Sequence, residues 1–136
     1  MILGIDPGKE KCGVAIVGLD RTVHLRQVIA SRDFTQHVDR LLAEFSVSTV
    51  VIGDQTTSRF WQTLLRSRYP TLRLIAIDER HSSEQARSRY WQLNPPRGLT
   101  RMLPEGFRLP PEPWDDIVAL ILIERYMGSL VDAERS

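Results

Sequence analysis

With one cysteine, Cys12, the 136-residue chain can close no internal disulfide, and its Cys and His residues lack zinc-site spacing. A reducing, cytoplasmic setting is the expectation. Long apolar runs are missing too: none approaches the ~20 residues of a membrane-spanning helix, so no membrane association is expected. The first residues enter a strand-like stretch at once, which argues against a signal peptide. Internal repeats and low-complexity segments are not visible. Lysine is absent from residues 59–108, whose basic side chains are all arginine.

The residues present suit one folded domain over 1–136, a length within the common range of about 100–150 residues. Hydrophobic residues make up 42% and charged residues 26%, enough apolar material for a core without staples. The net charge of +1 conceals an imbalance. Residues 59–108 hold 10 arginines against 4 acids, whereas residues 109–136 hold 2 basic residues against 6 acids. The guanidinium fork matches phosphate oxygens, so the middle segment suits a nucleic-acid backbone. The plainer reading is that arginines solvate exposed helix faces.

Ile2 to Ile5 reads as a buried strand stopped by the Asp6-Pro7-Gly8 turn. Gly13 to Leu19 and Thr22 to Ala30 read as two more strands, joined by a hairpin at Asp20-Arg21. Asp33 is placed to cap a helix bearing Phe34, Val38, Leu41, Leu42 and Phe45. Thr49 to Gly53 is a second apolar strand. Thr56, Thr57 and Ser58 offer caps for a helix with Phe60, Trp61, Leu64 and Leu65 on one face. Leu72 to Ile77 reads as a third buried strand, and Ser82 with Gln85 opens a helix to about Leu93. Residues 94–112 are a proline-rich loop. Pro113 starts a final helix with Trp114, Ile117, Val118, Ile121 and Leu122 as its buried stripe, and fraying is expected from about residue 130. The order implies a mixed five-stranded sheet flanked by helices: a three-stranded antiparallel meander plus two parallel strands.

Three of these strands end in carboxylates, at Asp6, at Asp54 and at the pair Asp78 and Glu79. Asp115-Asp116 opens the last helix. Function in such sheets gathers at the carboxyl edge of the strands. Each acid has a structural alternative as turn former, helix cap or surface ion pair. Jointly they imply convergence, and converging carboxylates need a proton or a cation between them. Hard oxygen donors without Cys or His select Mg²⁺ or Mn²⁺, and a metal pair would support phosphodiester hydrolysis.

Ile2-Leu3-Gly4-Ile5-Asp6-Pro7-Gly8, followed by Gly13-Val14-Ala15, resembles the opening of the RuvC junction resolvases and of the YqgF (RuvX) proteins. Asp78-Glu79-Arg80-His81-Ser82-Ser83 with Ala86-Arg87 is similar to the "DERxST…EAR" segment of YqgF. Trp114-Asp115 with Ala119 to Tyr126 resembles that family's final helix. The resemblance runs in order from Met1 to about Tyr126. It implies a ribonuclease-H-like fold and a metal-dependent nuclease, with Asp6, Glu79 and Asp115 matching the YqgF acids. Where YqgF has "VGLP", this chain has Val51-Ile52-Gly53-Asp54-Gln55, closer to the acid-glutamine step of RuvC. Asp54 and Glu79 therefore both stand as candidates for the second ligand. Val118 occupies the place of RuvC's last acid.

The functions expected from this are processing of the 5′ end of precursor 16S rRNA, resolution of branched DNA, or nucleic-acid binding without turnover. An actin-like nucleotide-binding domain is a weaker alternative, since one lobe of this length is only half of such a protein. Candidate backbone contacts are Lys9, Lys11, Arg59, Arg80, Arg87, Arg89, Arg97 and Arg101. Cutting two strands of a junction would call for a homodimer.

Overall fold

The computed structural model describes residues 1–54, 58–78, 82–93 and 115–135, so the expected loop over 94–112 and the helix start at Pro113 lie outside it. The elements are β1 (Ile2–Asp6), β2 (Lys11–Val17), β3 (Val23–Ala30), α1 (Phe34–Glu44), β4 (Thr49–Gly53), α2 (Ser58–Arg68), β5 (Arg73–Ile77), α3 (Ser82–Leu93) and α4 (Asp115–Arg135). The strands lie in the order β3-β2-β1-β4-β5. β1, β2 and β3 form an antiparallel meander, and β1, β4 and β5 run parallel. The molecule is thus an α/β protein with a five-stranded mixed sheet flanked by helices.

Strand alternation sorts the sheet's side chains between two cores. Ile2, Ala15, Val17 and Val51 pack with α3 and α4, whereas Leu3, Ile5, Val14, Ile16, Val50 and Ile52 pack with α1 and α2. Asp6 follows Ile2 and Gly4 in the row that faces α4. From Ile117 to Ile123 every residue of α4 is buried. A helix apolar on all sides is covered on all sides, here by the sheet beneath and α3 beside it. Gly4 brings the helix close, because a β-carbon there would stand 2.6 Å from the Ala119 carbonyl oxygen.

Several expectations shift at element ends. β2 begins at Lys11 and stops at Val17, leaving Leu19 exposed. The turn takes residues 18 to 22, with the Gly18 amide on the Thr22 carbonyl and the Thr22 amide on the Asp20 carboxylate. Asp33 ends a 3-10 turn over Ser31–Asp33, and its side chain makes no capping hydrogen bond; its carboxylate faces Arg32 instead. Trp61 and Leu65 are buried in α2, but Phe60 is 70% exposed. Adjacent helical residues differ by ~100°, so one face cannot bury both aromatics. β5 is half-exposed, because it is the outermost strand rather than an interior one. Helical backbone continues to Arg135, through the stretch expected to fray.

α1 and α2 are clamped by Asp39, which accepts hydrogen bonds from Arg68 and from the Tyr69 hydroxyl. Burial, reinforced by that bond, pushes the Tyr69 phenol up to about 12. Among the described residues, no helix is long and apolar enough to cross a membrane.

Candidate active site

Asp6 ends the central strand and stands opposite Gly13 of β2 in the ladder. The first turn of α4 rests on that glycine. A β-carbon at position 13 would collide with the Asp115 carbonyl and lie 2.6 Å from the Asp116 nitrogen. Residues more than a hundred positions apart are thereby brought together at the carboxyl edge of the sheet. Electrostatics gives the same picture from the far side of β2: the buried Cys12 thiol is pushed up by burial, with Asp6 and Asp115 both adding to the shift.

The Asp115 carboxyl is held above the ordinary aspartate range, first by burial and further by its neighbour Asp116. Lys11 opposes this. It lies two residues before Gly13 on β2, in the row facing α4, so its ammonium is the counter-charge that the sheet edge supplies. Asp116 has a different setting. Its carboxylate meets Arg26 Nε at 3.1 Å and accepts the Ile117 amide at 3.0 Å.

Asp54 is exposed one strand away, its amide donating to the Ile77 carbonyl at 3.1 Å. It lies two residues past Ile52, which packs toward α2, so the pleat turns it from the α4-facing row of Asp6. Glu79, the competing candidate, lies outside the described residues, as do Arg80, Arg97 and Arg101. The residue before Glu79 is firmly held: Arg125 donates to the Asp78 carbonyl at 2.6 Å and to Gln85 at 2.7 Å. Val118 is 4% exposed in the α4 core, so that position supplies no acid to the edge.

Lys9 and Lys11 are exposed beside Asp6. The loop bearing Lys9 is pinned by Ser31, whose hydroxyl donates to the Gly8 carbonyl at 2.8 Å and whose amide donates to Glu10. Arg59 is exposed in the first turn of α2. The backbone of Arg87 lies in α3, but its side chain is not among the described ones. Arg89 pairs with Glu124 at 2.7 Å. Nine residues along α4 from Asp115 is about 13 Å at 1.5 Å per residue, so this pair joins two helices away from the acids.

Two features were missed in reading the sequence. Phe60 packs edge-on against Trp61 with ring centroids 5.6 Å apart. Gly8, Lys9, Phe60 and Trp61 line an open cavity of about 280 Å³. The adjacent aromatic pair in α2 was the available signal, since a helix must leave one of two neighbours outside. The second feature is the Arg26–Asp116 pair, for which nothing local in the sequence gives notice. A larger groove, about 610 Å³, runs between α3 and α4. Its lining charges Arg89, Glu124 and Arg125 already engage protein partners, so the groove is a seam between the two helices.

Among the described residues no group of three or more His, Cys, Asp or Glu side chains is gathered for a metal ion. Asp6 and Asp115 carry hard oxygen donors on adjoining elements, the donor type that Mg²⁺ and Mn²⁺ take.

No family model matches the chain, and no curated protein matches it. Among solved structures, a candidate sugar kinase from Cytophaga hutchinsonii is similar over 63% of this chain and 38% of its own length. The TM-score is 0.47 and the identity 16%, and no assignment is taken from a likeness of that size.

Proposed function

We propose that the chain is a ribonuclease-H-like nuclease of the RuvC and YqgF kind, hydrolysing phosphodiester bonds in structured nucleic acid with Mg²⁺ or Mn²⁺. The observation that carries this reading is the approach of the Asp115 backbone to Gly13, the ladder partner of Asp6, at the carboxyl edge, with Lys11 on the same strand. Asp115 is partly buried and held toward its protonated form, first by burial and further by Asp116, and a cation bound there would offset that cost.

Asp6 and Asp115 are the residues that would hold the metal, with Asp54 or Glu79 completing the set. Bound there, the metal would lower the pKa of a water and offset charge on the phosphate. Lys11 and Lys9 supply positive charge on the approach side, where a backbone phosphate would lie. The exposed ring of Phe60, facing the Gly8-Lys9 loop, offers a stacking surface for an unpaired base. That combination favours single-stranded ends or branch points over uninterrupted duplex. Processing of the 5′ end of precursor 16S rRNA and resolution of a four-way junction both present such features.

The test is cleavage of labelled structured RNA and of a four-way DNA junction in Mn²⁺, by wild type and by Asp6→Asn, Asp54→Asn, Glu79→Gln and Asp115→Asn. Wild type should cut, while Asp6→Asn and Asp115→Asn should fall to background and still bind. Equal cutting by Asp6→Asn and wild type would overturn the mechanism. Binding without any cutting by wild type would establish the non-catalytic alternative. Comparison of Asp54→Asn with Glu79→Gln identifies the remaining ligand.

A further inference from the structure

We infer that Arg26 is a positioning residue for Asp115, acting through Asp116 and tying the outer strand β3 to the acid site. The inference rests on the nuclease reading for what Asp115 does; its geometric half stands independently.

Asp115 and Asp116 are neighbours with divided roles. One Asp116 oxygen takes Arg26 Nε at 3.1 Å, and the other takes the Ile117 amide at 3.0 Å. The pair is largely withdrawn from solvent, with side chains 34% exposed for Arg26 and 16% for Asp116. Arg26 stands opposite Ala15 in the β2–β3 ladder, and Ala15 stands opposite Gly4 in β1. The pair therefore belongs to a row that crosses the sheet beneath α4.

Two contacts among the described residues bear on the start of the helix. The close approach at Gly13 fixes its height above the sheet. The Arg26–Asp116 pair fixes its rotation, since it turns one known residue toward β3. Successive residues project ~100° apart around a helix, so Asp116 facing β3 leaves Asp115 facing another way. The charge of Lys11, on the strand beneath, acts on Asp115. Deprived of the guanidinium, a largely buried carboxylate is drawn toward water, and the first turn of α4 rotates or frays as it turns. Asp115 would move with it, away from Asp6.

A purely structural ion pair would make a different prediction: removing it would alter stability slightly and leave the acid site unchanged. Three measurements on the full chain separate the two, using Arg26→Met and the milder Arg26→Lys. They are Mn²⁺ affinity by calorimetry, kcat and KM on a structured nucleic acid, and hydrogen exchange at the Ile117 amide. Arg26→Met should weaken Mn²⁺ binding on the order of tenfold, as loss of a residue supporting a metal ligand commonly does. It should lower kcat with KM nearly unchanged and speed exchange at Ile117, while Arg26→Lys recovers part of each. Wild-type Mn²⁺ affinity and wild-type exchange in Arg26→Met would overturn the inference. If Asp6→Asn binds Mn²⁺ as well as wild type does, the metal reading fails instead. Exchange at Ile117 then decides the geometric half: faster exchange in Arg26→Met upholds it, and unchanged exchange sinks it.

Discussion

The carbonyl of Asp115 occupies the space in which a side chain at position 13 would begin, so Gly13 and the first turn of α4 are in direct backbone contact. Because Gly13 is also the ladder partner of Asp6, a single small residue lets the backbone segments carrying the two acids approach. Gly13→Ala must lift the helix start or bend β2. Overpacking of this kind costs about 1–3 kcal/mol, and displacement of a reacting group by ~1 Å can cost on the order of 100-fold in rate. Urea denaturation and cleavage assays should show both losses. A variant with wild-type stability and rate would mean that the contact is slack.

Asp115 makes the metal-free protein sensitive to pH in a definite direction. Its carboxyl is held above the ordinary aspartate value of about 3.9. Between those two values the native state binds more protons than the unfolded chain, so stability falls as pH rises through that window. Asp115→Asn removes the penalty. In metal-free solution at pH 7 the variant should melt a few degrees above wild type, and the difference should close near pH 3. Saturating Mn²⁺ should reverse the order, since a ligand bound only by native wild type stabilises it. A variant that melts below wild type at neutral pH without metal would show that the carboxylate is stabilising.

Phe60 offers a test of substrate form. Base stacking on an aromatic ring is worth about 1–3 kcal/mol per base. Phe60→Ala should therefore weaken binding to single-stranded or branched ligands by roughly 5- to 150-fold, with little change for blunt duplex. Because the ring is 70% exposed, the variant should fold normally. Equal losses on both ligand types in fluorescence anisotropy would assign Phe60 to packing against Trp61 alone.

Much of the architecture was legible because apolar periodicity reports directly on burial. Thr49–Gly53 and Ser82–Leu93 lie where the pattern puts them. Asp6 and Asp115 stand out in the sequence because each ends or opens a strongly apolar element. Periodicity cannot show which residues lack room. Gly13 reads as an ordinary strand glycine until α4 is laid across it, and Arg26 reads as one more exposed strand arginine until Asp116 meets it. Phe60 was misplaced because apolar character alone does not tell which of two adjacent aromatics faces the core. Asp33 satisfies the sequence rule for a cap, yet the preceding 3-10 turn alters the backbone that the rule assumes.

The burial of Ile117 through Ile123 has a consequence in time as well as in space. β1 is made before the other strands of this sheet, and the α4 residues that cover it come more than a hundred positions later. Contacts so distant in sequence form slowly, because a long loop must close before they contribute. Until α4 is made, Ile2, Ala15, Val17 and Val51 present an uncovered apolar sheet, the kind of surface through which partly folded chains aggregate. The nascent chain thus has one layer it can assemble early, with α1 and α2, and one that waits. Completing the second layer and bringing the Asp115 turn against Gly13 are the same event, so a chain that has not finished folding lacks that contact.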